Sequence, residues 1–336
     1  RNLAMFKDMR DVNGKIVLGS NWMLGCWYGR GSSKRTILEK KKNMSSIAFD
    51  MNYGGNWVGS STGALVNINR FMNCRTLTEP ILSSTSDDDE FYLAMDVARS
   101  QNKNNNQSSI AVGKVIRNSD GKITEIQLAN IIHVSNMLNF GTQACIVKRV
   151  RKRYNAKIAV VDGNGLGTGL IDKLMEETYD PLTGETYPAW DTINTDAVPD
   201  AKKADKCLYD LKAQSCQTMI LTNFIDMIDS GTLRFLESKN GGDYAIKDND
   251  DLNSKVMPFV QEELFFQEVG NLKLLQSGKN LSVEKVVSKF DKDRFSAVAY
   301  LLYYIVKVDD SGSKSNVDIK SFAERLKALN RRPRMY

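Results

Sequence analysis

Three aspartates interrupt or adjoin segments of this chain that are otherwise apolar, and their placement points to a particular chemistry. Asp162 ends the apolar part of Lys-Ile-Ala-Val-Val-Asp-Gly-Asn-Gly-Leu-Gly-Thr-Gly-Leu at 157–170, which reads as a buried parallel strand running into a glycine turn. Asp96 interrupts a second such run, Phe-Tyr-Leu-Ala-Met-Asp-Val-Ala at 91–98, where an unpaired charge is costly to bury. Asp293 stands just before the helical period of 295–306, with Asp291 close enough to replace it. Singly, Asp162 and Asp293 also read as helix caps. Together, two carboxylates on strands and one at a helix start form an oxygen-donor set suited to magnesium or manganese. Zinc has little to bind, because His133 is the only histidine and the five cysteines show no Cys-x-x-Cys spacing.

Such carboxylates need elements that bring them together. Segments 91–98, 109–116 and 123–134 read as three antiparallel strands, separated by an Asn-rich loop at 101–108 and a Ser-Asp-Gly turn at 118–121. Segment 138–154 has a helical period through Phe140, Ala144, Val147, Val150 and Tyr154, with Lys148, Arg149, Arg151, Lys152 and Arg153 placed on its exposed side. A helix between this meander and the strand ending at Asp162 is a right-handed crossover, which lays that strand parallel to the first. Asp96 and Asp162 then emerge side by side at one sheet edge, the place where ligands of α/β sheets gather. Carboxylates that close repel unless a cation or a shared proton intervenes. The fold class is therefore α/β, a mixed sheet of antiparallel meander plus parallel strands flanked by helices. Downstream, 165–177, 201–213, 218–228 and 252–275 read as helices, with a short fifth strand near Thr192, a stop at Gly231, a polar loop at 239–251 and a turn at 277–280.

Composition bounds the rest. The 336 residues, 42% of them hydrophobic, suffice for one large domain or two smaller ones. No apolar stretch reaches the roughly 18–20 residues of a membrane span, and the first residues do not form a signal peptide. Because the sequence starts at Arg1, it reads as a piece of a longer protein. An odd number of scattered cysteines suggests free thiols in a reducing compartment. A formal charge of +6 and pI near 8.9 suit a nucleic-acid partner without demanding one. Basic clusters at 34–42, at 148–153 (Lys148, Arg149, Arg151, Lys152, Arg153) and in the tail (Arg325, Lys327, Arg331, Arg332, Arg334) add potential DNA phosphate contacts. Residues 1–86 have a different texture, with a short strand expected at 15–19, a Gly-, Asn- and Ser-rich segment at 45–63, and a polar, acidic linker at 83–90. No phosphate-binding loop of the Walker type occurs. Three parts follow: 1–86, 87–310 and a basic tail at 311–336.

In their order and context, 91–98 with Asp96, 160–170 with Asp162, and Lys292-Asp293-Arg294-Phe295-Ser296-Ala297 resemble the nuclease half of the large terminase subunit of tailed bacteriophages. The resemblance runs over about residues 90–307. Phe49-Asp50-Met51-Asn52-Tyr53 and Trp57-Val58-Gly59 also resemble the segment joining such a nuclease to its packaging ATPase, although Asn52 stands where an acidic residue is common. The resemblance implies a ribonuclease H-like fold and an endonuclease that cuts concatemeric viral double-stranded DNA during packaging. It implies that Asp96, Asp162 and Asp293 hold two divalent ions, Mg2+ or Mn2+, with Asp96 bridging them. Lys292 and Arg294 would meet a phosphate, and the turn with Gly163 and Gly165 would let backbone approach DNA. Further implied partners of the full-length protein are the portal, the small terminase subunit and the capsid, with no membrane, in the host cell cytoplasm. The ATP site would lie upstream, so no ATPase activity is expected from these residues. Other readings are a junction resolvase or transposase-type enzyme of the same fold, and a DNA-binding or assembly module whose acids serve as caps.

Overall fold

The computed structural model describes residues 63–99, 107–201, 203–238, 252–277, 280–288 and 290–309. The expectations for 1–62, the loop at 239–251 and the tail at 311–336 lie outside the described residues.

The elements run α1 (Ile68–Asn73), β1 (Arg75–Leu77), β2 (Glu90–Asp96), β3 (Ser108–Arg117), β4 (Ile123–Val134), α2 (Phe140–Tyr154), β5 (Ile158–Asp162) and α3 (Gly167–Leu174). There follow β6 (Thr178–Asp180), β7 (Glu185–Tyr187), β8 (Trp190–Thr192), β9 (Asp205–Leu211), α4 (Ala213–Asp229) and β10 (Leu233–Leu236). The last are α5 (Leu252–Gly270), β11 (Leu272–Ser277), β12 (Asn280–Lys285), α6 (Asp293–Tyr303) and a π-helix (Tyr304–Asp309). Eight strands form one mixed sheet in the order β1-β10-β4-β3-β2-β5-β9-β8. At its centre, β2, β3 and β4 are the antiparallel meander, and β5 and β9 continue parallel to β2. This is the α/β mixed sheet, an antiparallel meander continued by parallel strands and flanked by helices, that the sequence led us to expect.

Helices cover both faces. On one, α2 and α3 pack Ala144, Val147, Val150, Leu170 and Leu174 against Phe91, Leu93 and Met95 of β2. On the other, α4, α5 and α6 pack Phe224, Phe265, Phe295 and Val298 against Tyr92 and Ala94. A central strand covered on both faces must be apolar throughout, and 91–95 is buried without a break. The helix α2 begins where the Asn139 side chain accepts the Thr142 N–H at 2.9 Å and ends at Asn155 in the left-handed region, φ 47°. Helix α6 comes close to the sheet because β3 presents Gly113 to it. A Cβ there would lie 2.9 Å from Leu301 Cδ2.

Several expectations are corrected. Segment 201–213, read as a helix, contains the strand β9, in which Cys207, Leu208 and Leu211 are buried. Their spacing imitates a helical stripe, but the open edge of β5 offers hydrogen bonds to a strand, and β9 takes them. The short strand near Thr192 exists as β8, yet it pairs outside β9 at the rim. Segment 252–275 is helical only to Gly270, after which β11 and β12 form a separate hairpin. Residues 64–77 supply Leu65, Phe71 and Cys74 to the core and β1 to the sheet.

Candidate active site

Alternation along two strands decides where two of the aspartates point. In β2, residues 91, 93 and 95 face α2 and α3 while 92 and 94 face the opposite layer, so Asp96 continues the latter set. In β5, Ala159 and Val161 face α2 and α3 and Val160 faces away, so Asp162 points to the same side as Asp96. With Met95 paired to Val161 in parallel register, the two aspartates are neighbours at the carboxyl edge. Helix α6 lies on that face, against β2 and β3, and starts at Asp293.

Each carboxylate has a distinct environment. Burial pushes the Asp96 carboxyl up to about 8, assisted by the charges of Asp293 and Asp162 and opposed by a hydrogen bond from Ser296 and the charge of Lys292. Asp293 is buried and accepts the Gln107 backbone N–H at 2.7 Å. Its carboxyl is raised to about 6, first by burial and then by Asp291, against that hydrogen bond and the charges of Arg294 and Lys285. Asp162 Oδ1 accepts from Asn164 Nδ2 at 2.7 Å, from the Asn164 backbone N–H at 3.2 Å and from the Ala213 N–H at 3.4 Å. Its Oδ2 accepts the Tyr300 hydroxyl at 3.4 Å. Neither Asp162 nor Asp293 caps the helix that follows it, since the N-cap positions of α3 and α6 are Leu166 and Lys292 and neither makes a side-chain cap; Asp162 instead meets the first N–H of α4, at Ala213. Of the two candidates for the third carboxylate, Asp293 is the one whose charge acts on Asp96.

The donor set fits a hard divalent cation. The oxygens it would offer are carboxylate oxygens, and burial together with like-charged neighbours disfavours the ionised form of Asp96 and Asp293, which nearby cations offset only in part. Among the described residues, no group of three or more His, Cys, Asp or Glu side chains already stands at metal-ligand spacing.

The glycine turn after Asp162 is tightly built. Gly165 has φ +57°, a Cβ on Gly163 would lie 1.9 Å from Asp210 Oδ1, and one on Gly167 would lie 1.6 Å from the Asp162 carbonyl oxygen. The expected phosphate-binding cations divide. The charge of Lys292 acts on Asp96, whereas Arg294 is buried and donates to Glu268 Oε1 at 2.6 Å and Gln261 Oε1 at 2.8 Å. The basic run of α2 lies on the opposite face of the sheet from α6. There Lys148 is buried, donating to the Glu176 and Pro188 carbonyls, and Arg149 forks onto buried Asp180 at 2.6 and 2.7 Å. Arg151 pairs with Asp205, Lys152 with Glu185, and Arg153 is exposed. A regular apolar stripe does not reveal that a lysine flanking it is also covered, which is why the sequence placed Lys148 outside.

The helical repeat after Asp293 puts Tyr300 on the same face, with small Ser296 allowing close approach to the sheet edge, and both meet the aspartates there, Ser296 at Asp96 and Tyr300 at Asp162. Asn164 was visible as a polar residue in the turn. Gln107, Lys285 and Glu268 are distant in sequence and carry no local signal.

No family model matches the chain, and no curated protein does. Among solved structures, it is similar to the large terminase nuclease of thermophilic phage G20c with bound magnesium, at 12% identity and a TM-score of 0.45, over 72% of this chain and 97% of that one. The chain is similar to viral terminase nucleases. The human cytomegalovirus terminase nuclease domain matches at 14% identity and a TM-score of 0.42, over 73% of this chain and 97% of the other. A variant nuclease domain of the large terminase subunit of bacterial virus Sf6 with manganese matches at 11% identity and a TM-score of 0.38, over 71% and 98%. Among the described residues, no helix is long and apolar enough to cross a membrane.

Proposed function

We propose that this chain is a divalent-metal-dependent DNA endonuclease acting at the Asp96, Asp162 and Asp293 edge, and that its task is to cut concatemeric viral DNA during packaging. The observation that carries the reading is the electrostatics of that edge. A carboxyl attached to the central strand is raised to about 8 by burial and by two further carboxylates, an arrangement that a bound divalent cation would relieve. When bound, two Mg2+ or Mn2+ ions supply an activated water and stabilise the leaving oxygen of an in-line displacement.

The protein's own groups then have separable tasks. Asp96, Asp162 and Asp293 present oxygens from two strands and a helix, so rigid elements set their spacing. Asn164 and Tyr300 orient Asp162 by donating to its two oxygens. Lys292, whose charge acts on Asp96, would be a cation for a scissile phosphate. In the turn, Gly163 is covered by the Asp210 and Lys212 side chains, while exposed Gly165, with nothing within 4 Å of a Cβ there, would be the point at which backbone approaches DNA. Residues 1–86 would belong to the end of an upstream motor and its linker and 311–336 to a basic tail, and portal, small subunit and capsid would be partners of the full-length protein.

Incubation of supercoiled plasmid with this chain and with Asp96→Ala, in manganese, magnesium or chelator, tests the reading. Metal-dependent nicking and linearisation that is lost in the variant is expected. Equal activity in the variant would remove Asp96 from the site. Cutting confined to branched DNA would favour a resolvase, and DNA binding without cleavage in any metal would favour a binding module.

A further inference from the structure

Helix α6 begins without a local side-chain cap, since its N-cap residue Lys292 makes no capping hydrogen bond. The cap comes instead from another helix. Glu268, buried near the end of α5, accepts the Phe295 backbone N–H through Oε2 at 3.0 Å and the Arg294 guanidinium through Oε1 at 2.6 Å. Gln261, also on α5 and buried, accepts from Arg294 Nε at 2.8 Å. The two residues gripped in this way directly follow Asp293, whose own carboxylate accepts the N–H of Gln107, the residue just before β3. The first turn of α6 is therefore fastened from two sides, with the aspartate between the fastenings.

We infer that Glu268, Arg294 and Gln261 form a positioning clamp that sets Asp293 for metal binding, an inference that rests on the proposed function. Fold stability alone is a poor reason for such a pair, because apolar residues of similar volume often serve as well as a buried ion pair. Groups behind a metal ligand, by contrast, commonly change metal affinity by about 10–100-fold. Arg294 thus serves the site from behind, and the phosphate-facing cation of this segment is Lys292.

The test measures Mn2+ binding by titration calorimetry, with Tm and plasmid cleavage alongside, for the wild-type chain, Glu268→Gln and the double variant Glu268→Met/Arg294→Met. Glutamine matches the shape of glutamate but offers one acceptor in place of two, so one of the two donors at Glu268 loses its partner. The clamp requires the Mn2+ dissociation constant of Glu268→Gln to rise about 10-fold, with a parallel rise in the metal needed for half-maximal cleavage. The double variant, with both charges gone, should retain near-wild-type Tm and still bind Mn2+ weakly. Wild-type metal affinity in either variant would overturn the clamp, and if one variant fails to fold the other decides. A wild-type chain that neither binds Mn2+ nor cuts DNA would overturn the proposed function and the clamp with it. Wild-type binding and cleavage beside an unchanged Glu268→Gln would remove the clamp alone.

Discussion

Asp96 concentrates the conflict in this site: a charge that burial and two like-charged neighbours disfavour, on the strand that anchors the whole sheet. Asp96→Asn keeps the shape and removes the charge. It is expected to raise the Tm of the metal-free protein, to abolish any stabilisation by Mn2+, and to lower cleavage by on the order of 10²–10³-fold, the scale of losing one preorganised electrostatic contact. Thermal melts with and without Mn2+, run beside the plasmid assay, check all three. Tyr300 has a smaller part, because its hydroxyl reaches Asp162 at a long 3.4 Å. A bond of this kind contributes about 1 kcal/mol, so Tyr300→Phe should cost roughly fivefold in cleavage rate without altering DNA affinity. A loss approaching that of Asp96→Asn would instead place the hydroxyl among the reacting groups.

At the scale of elements, the turn between β5 and α3 and the helix α2 make contrasting predictions. Gly167 packs against the carbonyl of Asp162, so Gly167→Ala must displace the backbone that carries the ligand. We expect this substitution to lower both Tm and cleavage, whereas Gly184→Ala, whose added Cβ meets nothing within 4 Å, should affect Tm through its φ of 72° and leave cleavage per folded molecule unchanged. Helix α2 was legible as a helix from its apolar period, but its basic residues were not legible as internal. Lys148 ties α2 to two backbone carbonyls, and Lys148→Met strands both acceptors, at an expected cost of about 2–4 kcal/mol in denaturant unfolding. Folded Lys148→Met should bind DNA with the salt dependence of the wild type. A flattened salt slope would return this lysine to the DNA-binding surface.

Over the whole molecule, buried acids make stability depend on pH, and Glu262 is one that lies away from the aspartate edge and its clamp. Glu262 joins α5 to β10 by accepting the Leu236 N–H at 2.8 Å, and its other oxygen, Oε1, is buried without a partner. Burial raises its carboxyl from 4.5 to about 8, against that hydrogen bond and the charge of Arg75. The unfolded chain ionises this group near pH 4.5 while the folded chain holds its proton to about 8. Its contribution is thus fully present below the lower value and is lost as pH rises through the upper one. Unfolding free energy measured in urea should fall across that window by on the order of a few kcal/mol from this group. Glu262→Gln, uncharged throughout, should flatten the decline, and an identical slope in the variant would clear Glu262 of responsibility.

The sequence by itself determined the elements whose signals are local. The unbroken apolar run at 91–95 could only be a covered central strand, and alternation, turn residues and one crossover then set the meander, the parallel pairing of β2 with β5, and the adjacency of Asp96 and Asp162. The helical repeat beginning at Asp293 placed the third carboxylate on a helix start. Tertiary structure decided what depends on which edge or donor is left open. Segment 201–213 carries a spacing that suits helix or strand, and the unfilled edge of β5 made it a strand. Charge gave the weakest guide, because Lys148, Arg149 and Arg294 look alike in sequence to exposed cations. Their partners, two carbonyls, Asp180 and Glu268, lie 26 to 40 residues away and meet them only when the layers close.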